Sequence, residues 1–293
     1  MSRFGTVLTA MVTPFDDDGA VDLDAATGLA RWLVDTGSDG LVVTGSTGEA
    51  STLTDDEKRD LWRAVAEAVT VPVVAGATSN DTAHSVHMTR AAEDAGVAGV
   101  LAVGPYYNRP SQAGLEAHFR AVADATTLPV LIYDIPIRTG RKISNDVLVR
   151  LAREVPNVIG VKDATLDVGS SARLVAAAPG DFELYSGNDD QTLCLLALGA
   201  VGLIGVATHW AATEFAELIR SFQKGDVEGA RRLNERLLES CDFEGSNEAP
   251  NPIPTKAMLR TLGIDVGECR LPMGPTPPGL EDRAREVLKN LRG

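Results

Sequence analysis

Cysteine, histidine and basic residues are all scarce in this 293-residue chain, and each shortage narrows what it can be. Its three cysteines, Cys194, Cys241 and Cys269, are far apart, odd in number and without CxxC spacing. A disulfide framework or structural zinc site is therefore not expected, and a reducing cytoplasm is the simplest compartment. The four histidines, His84, His87, His118 and His209, are scattered, with only His84 and His87 on one helix face, which disfavours a zinc centre. Nor can a Ser-His-Asp arrangement be argued from their order. Lysine and arginine total 27 against 41 aspartates and glutamates, a formal charge of −14. Such a field makes nucleic acid or an anionic membrane an unsuitable partner. It also mildly repels anionic metabolites, so an acid substrate must be held by local cations such as Arg138 and Lys162. The amino-terminal stretch from Met1 to Phe15 has one short apolar patch, interrupted by Thr9, Thr13 and Pro14, and is expected to be neither signal peptide nor membrane span.

What the chain does have is alternation. Hydrophobic residues make up 44% of it, enough for a large core with a small appendage. Short apolar, β-branched runs recur at 6–11, 40–44, 73–76, 99–103, 130–133, 159–162, 183–186 and 202–206. Between them lie helix-like stretches at 24–35, 54–69, 82–95, 111–125, 144–154, 169–178, 191–198 and 210–223, the second opening on a Thr54…Glu57 capping box. Eight such strands close a parallel barrel, so the expected fold is a (β/α)8 TIM barrel over residues 1–224. A doubly wound open sheet is the competitor, and it is disfavoured because no strand is followed by a dinucleotide-type glycine loop. From residue 225 the pattern is helical, at 226–239, 255–262 and 279–291, with a proline-rich break at Pro250-Asn251-Pro252-Ile253-Pro254. Residues 225–293 therefore read as a small helical domain against the barrel.

In such a barrel the chemistry lies at the carboxyl ends of the strands. The run Val158-Ile159-Gly160-Val161 ends on Lys162, and an amine held in a dry pocket loses its proton readily enough to attack a carbonyl carbon. One strand earlier, Tyr133 and Arg138 follow the run Pro129-Val130-Leu131-Ile132. Amine, phenol and guanidinium thus converge on one rim, which outweighs the ordinary alternative of a lysine stem lying on apolar surface. Gly45-Ser46-Thr47-Gly48-Glu49 after the second strand offers two hydroxyls between glycines, although a tight turn has the same signature. Tyr106 and Tyr107 could equally well pack on the surface. Asp189 and Asp190 read as a solvated helix start rather than a metal site, since no further carboxylates with ligand spacing follow.

Taken together with Pro105-Tyr106-Tyr107-Asn108-Arg109-Pro110, Tyr133-Asp134-Ile135-Pro136, Arg138-Thr139-Gly140, Gly160-Val161-Lys162-Asp163, Ser186-Gly187-Asn188-Asp189 and Pro250-Asn251-Pro252-Ile253-Pro254-Thr255-Lys256, these residues resemble the dihydrodipicolinate synthase family. That family belongs with N-acetylneuraminate lyase to the pyruvate-dependent, Schiff-base-forming lyases, and the likeness runs nearly end to end. It implies that Lys162 forms an imine with pyruvate and that Thr47 holds the pyruvate carboxylate. Tyr133 would carry protons, linked through Ser46 to a Tyr107 supplied across a dimer interface. Arg138 would bind the carboxylate of aspartate semialdehyde, and Gly187 and Ile204 would contribute backbone and wall. The implied product is 4-hydroxy-tetrahydrodipicolinate, made without metal or organic cofactor by a homotetramer of two tight dimers in the cytoplasm.

Two departures bear on this reading. Synthases of the family more often carry two threonines where Ser46-Thr47 stands, and serine there resembles the sialic-acid lyase branch. Asp134 stands in place of a frequent asparagine, and its charge beside Tyr133 is expected to disfavour the phenolate. Arg138, a bidentate carboxylate reader, weighs against the lyase. Another pyruvate or 2-keto-acid aldolase is the second reading, and a catalytically silent barrel the third. Lysine-inhibited members of the family hold the effector at the tight-dimer interface with a glutamate and histidines. His84, Asp55 and Lys58 stand at the corresponding places here, with Asn80 and Tyr106 retained, so feedback by lysine is expected to be weak or absent.

Overall fold

The computed structural model describes residues 2–293. Among them, β1 (Val7–Ala10), β2 (Gly40–Val43), β3 (Val73–Gly76), β4 (Gly99–Val103), β5 (Val130–Asp134), β6 (Val158–Asp163), β7 (Glu183–Ser186) and β8 (Gly202–Gly205) close in sequential order into a parallel barrel. β8 returns to pair with β1. α1 (Leu23–Asp35), α2 (Asp55–Ala68), α3 (Thr82–Asp94) and α4 (Gln112–Ala123) follow the first four strands. β5 leads through a single turn, α5 (Pro136–Thr139), into α6 (Asn145–Glu154). Then come α7 (Val168–Ala177), a 3₁₀ turn at Asp189–Gln191 with α8 (Thr192–Leu196), and α9 (Thr208–Gln223). The tail is α10 (Val227–Phe243), α11 (Ile253–Thr261) and α12 (Leu280–Arg292). The expected TIM barrel with carboxyl-terminal helices is what the chain forms.

The strands are runs of valine, leucine, isoleucine and glycine because both their faces are covered, which parallel sheets require. Leu8, Val42, Leu131, Tyr185 and Ile204 fill the barrel interior. Leu33, Trp62, Phe119 and Leu151 fill the layer between strands and helices. A third cluster joins Val7 and Leu203 of the barrel to Phe215, Leu237, Met258 and Leu291, so the tail helices share apolar contacts with β1 and β8. Side-chain caps start the helices: Asp22 accepts from Ala25 N, and Thr54 with Glu57 forms the anticipated capping box. Each such cap is worth about 1 kcal/mol.

Several boundaries differ from the sequence expectation. α11 begins at Ile253 rather than at residue 255, because Pro254 lies in its first turn, where a missing N–H breaks no helical bond. α10 runs to Phe243, past the expected end at residue 239. α5 was not foreseen: Pro136 opens it and Gly140, at φ 70°, ends it within one turn. Among the described residues, no helix is long and apolar enough to cross a membrane.

Candidate functional site

Because side chains alternate along a strand, β5 turns Tyr133 into the barrel and Asp134 outward toward α6, and β6 does the same with Lys162 and Asp163. Tyr133 and Lys162 are register partners on these adjacent strands. The Lys162 amine therefore lies over the Tyr133 ring, 4.5 Å from its centroid. Both side chains are buried, Lys162 at 4% exposure. Burial pushes the Lys162 amine down to about 8; the Arg138 cation adds to this, while Asp189 and Glu244 oppose it. Burial likewise pushes the Tyr133 phenol up to about 12, against the opposing charge of Arg138 and a hydrogen bond with Ser46. At neutral pH the site therefore offers a partly free amine beside a phenol that keeps its proton.

Tyr133 lines a cleft of about 380 Å³, together with Ser46, Tyr106, Tyr107, Arg138, Asn251 and Met273 among others. That volume suits two small organic acids. Arg138 reaches it from α5, whose one-turn length leaves the guanidinium exposed at the rim. Gly187 is a glycine for a steric reason: a Cβ there would stand 3.0 Å from Lys162 Cγ and 2.9 Å from Ala164 Cβ. The loop after β7 can thus pass directly over the lysine stem. Ile204 on β8 is fully buried in the same interior cluster as Tyr133.

The loop carrying Ser46 and Thr47 is bracketed by two non-glycine residues in the left-handed region, Thr44 at φ 56° and Glu49 at φ 55°. Such residues cost on the order of 1 kcal/mol each and persist where surroundings over-determine them. At Thr44 the constraint is polar, since its hydroxyl donates to Val43 O at 2.7 Å and accepts from the buried Trp62 Nε1 at 2.6 Å. It is also steric: a Cβ on Gly76 would lie 2.3 Å from Thr44 O, so only glycine lets β3 come this close. At Glu49 it is ionic. Lys256 Nζ lies 2.9 Å from Glu49 Oε1 with both side chains 1% exposed, and Arg270 N donates to Oε2 at 2.8 Å. Thr47 is buried and accepts a hydrogen bond from Asn251 Nδ2 at 2.9 Å.

The residues singled out from sequence, Lys162, Tyr133, Ser46, Thr47, Arg138, Gly187 and Ile204, thus gather at one end of the barrel. Tyr107 stands apart from them. It lies at the cleft mouth, 90% exposed and at φ 72°, while Tyr106 is half-buried. Two expectations need correcting. Asp189 is not solvated: it is buried and accepts from Val206 N at 2.9 Å and Ala207 N at 2.8 Å, tying the β7 loop to the start of α9, whereas Asp190 is exposed. It also hydrogen-bonds Glu244, and burial raises both carboxyl groups. Asp134 does not act on the phenolate either, since it faces away from Tyr133, accepts from Ile143 N at 3.3 Å, and is pushed up to about 7 by burial. The carboxylate that disfavours the Tyr133 phenolate is Asp189.

Sequence reasoning assigned no role to Glu49, Asn251, Lys256 or Arg270, because their partners lie some two hundred positions away. At the other edge of the cleft, His84 Nε2 lies 2.9 Å from Asp55 Oδ1, and Lys58 lines the wall with Ser51, Thr52 and Ser79.

Comparison with known proteins places this geometry in context. A model of the dihydrodipicolinate synthetase family matches residues 3–291. The chain is 50% identical over 291 residues to the 4-hydroxy-tetrahydrodipicolinate synthase of Acidothermus cellulolyticus, covering 99% of this chain and 91% of that protein. It superposes on the lysine-bound dihydrodipicolinate synthase of Cyanidioschyzon merolae with a TM-score of 0.95 at 40% identity, over 99% and 98% of the two chains. The pyruvate complex of the chloride-inhibited enzyme from Acinetobacter baumannii gives 0.92 at 35% identity, over 99% of each.

Proposed function

This chain belongs to the dihydrodipicolinate synthetase family, and from that membership we propose how its own residues divide the chemistry. The reaction is the condensation of pyruvate with L-aspartate 4-semialdehyde to 4-hydroxy-tetrahydrodipicolinate, the branch step toward diaminopimelate and lysine. Relatives carrying this name favour it over a sialic-acid lyase or another 2-keto-acid aldolase.

The observation that carries the assignment is the buried Lys162 amine lying against the ring of Tyr133, which lines the cleft. In the proposed sequence the neutral amine attacks the pyruvate carbonyl carbon. Loss of water gives an imine, and protonation on nitrogen makes that imine an electron sink. Removal of a methyl proton then yields an enamine, which attacks the aldehyde carbon of the second substrate. The amino group of the added chain displaces Lys162 by transimination and closes the ring. Tyr133, protonated at working pH, passes protons to and from these centres, and Ser46 carries the relay toward the mouth. Thr47 and its neighbouring backbone hold the pyruvate carboxylate, and Arg138 holds that of the semialdehyde. Gly187 and Ile204 shape the wall around the imine.

We further assign residues 1–224 to the catalytic barrel and 225–293 to a helical domain. Tyr107, exposed on its own chain, would complete the relay of a second subunit in a tight dimer, two of which would form a tetramer acting in the cytoplasm. Incubation with pyruvate and borohydride should add one reduced pyruvate to the peptide containing Lys162, and labelling that persists in Lys162→Ala would refute the assignment. A coupled assay offering aspartate semialdehyde or N-acetylneuraminate should show turnover with the semialdehyde alone.

A further inference from the structure

We infer that Asn251, from the segment preceding α11, is a positioning residue for recognition of the 2-oxo acid carboxylate: its amide sets the direction in which the Thr47 hydroxyl donates. The inference rests on the reading of Thr47 as the carboxylate holder. A hydroxyl has one proton to give and two lone pairs to receive with. Asn251 Nδ2 donates to Thr47 Oγ1 at 2.9 Å, which occupies a lone pair and leaves the Thr47 proton for an incoming anion. The amide itself is held the right way round, because its Oδ1 accepts from the hydroxyl of Thr255 at 3.3 Å, and Thr255 is wholly buried at the start of α11.

The loop bearing Thr47 is pinned by the same segment. Lys256, one residue beyond Thr255, pairs with Glu49, donates to Glu268 O at 2.9 Å and lies 4.1 Å over the Phe15 ring. Arg270, whose backbone also binds Glu49, is fixed through its guanidinium to Glu57, Thr52 O and Gly19 O. Asn251 lines the cleft, as do Glu49 and Thr52, whereas Thr255, Lys256, Glu57 and Arg270 that hold them do not. The carboxyl-terminal segment thus orients one donor before substrate arrives, so little reorganisation remains at binding.

Steady-state kinetics and borohydride trapping, each against pyruvate concentration, test this in Asn251→Ala, Asn251→Asp and Thr47→Val, with thermal melting to verify folding. Asn251→Ala should raise the pyruvate KM by about 2- to 12-fold, the factor one neutral hydrogen bond is worth, with kcat and the semialdehyde KM little changed. Asn251→Asp, nearly the same shape but an acceptor, would draw the Thr47 proton to itself and repel the anion, so its pyruvate KM should rise further than that of Asn251→Ala. If Thr47→Val raises the pyruvate KM and neither Asn251 variant does, the inference is wrong while the role of Thr47 stands. If Thr47→Val leaves that KM unmoved, the underlying reading falls and the inference with it. A loss of kcat with both Michaelis constants altered together would mark Asn251 as merely structural. Should Asn251→Ala melt below the assay temperature, the isosteric Asn251→Asp decides alone: a selective rise in the pyruvate KM is expected, and an unchanged one overturns the proposal.

Discussion

A lysine whose burial brings its amine to about 8 divides the pH scale at a useful place. Below that value each unit of pH leaves about tenfold less free amine, so the second-order rate of imine formation should climb with unit slope from about pH 6 and level off above about 8. The Arg138 cation helps keep the amine free, so removing it makes the ammonium easier to form and should move the break upward. Arg138→Ala should therefore do two things at once. Trapping with pyruvate survives but its pH profile shifts to higher pH, and affinity for the semialdehyde falls by about 10- to 150-fold, the worth of a charge-assisted hydrogen bond. A variant that keeps semialdehyde affinity but cannot be trapped would reverse the assigned roles. Residues of this kind were legible because Lys162 closes an apolar run and Arg138 follows one within a few positions, and position at or just beyond a strand end carries chemical meaning in a barrel. Asn251 was not legible in the same way, since its partner Thr47 is 204 positions away and an asparagine beside prolines reads locally as a turn.

Among the elements, the start of α9 depends on a histidine that must stay neutral. His209 Nδ1 donates to Val206 O at 2.7 Å and its Nε2 accepts from Val12 N at 3.2 Å, joining the ends of β8 and β1. A second proton would set one N–H against another. Burial pushes this imidazole down to about 4, and His118 is pushed to about 4 in the same way. Unfolded, both would take up a proton near 6.5, so unfolding consumes protons between pH 6.5 and 4. The contribution to stability is complete above 6.5 and is lost as pH falls toward 4. The raised carboxyls of Asp134, Asp189 and Glu244 act in the opposite sense over this range, so the test is relative: His209→Gln should be less stable than the unaltered chain at pH 7.5, and between pH 7.5 and pH 5 its urea midpoint should drop less than that of the unaltered chain. An equally steep drop in His209→Gln would place the linkage elsewhere. Helices of ten residues or more were readable from their caps and periodicity, whereas α5, four residues long, has too few positions to show a period.

For the molecule as a whole, the exposure of Tyr107 makes a test of assembly possible. Chains carrying Tyr107→Phe, mixed with chains carrying Lys162→Ala, should regain activity once subunits exchange, because in a mixed dimer the Lys162→Ala chain supplies Tyr107 to the one site that keeps Lys162. Absence of recovery after verified exchange would assign the tyrosine to its own subunit. If the effector site that the family resemblance implies lies here, lysine should inhibit weakly or not at all, because Asp55 is already engaged by His84 and the Lys58 ammonium on the cleft wall would repel another. Strong inhibition at sub-millimolar lysine would show that an effector site has been built from other residues. The barrel's closure was readable from the count of strands, but the fixing of the Thr47 loop by the tail was not, because three-dimensional proximity between residues 49 and 256 leaves no local pattern. One consequence of the register between β5 and β6 reaches beyond this chain. Hydrogen bonding spaces neighbouring strands by about 4.8 Å whatever their side chains, and Lys162 and Tyr133 sit at paired rungs of that ladder. The peptide group itself is therefore the ruler that sets amine against phenol, which makes the pair a portable unit: any two adjacent parallel strands, given a dry interior and the same pairing of positions, could be asked to hold it.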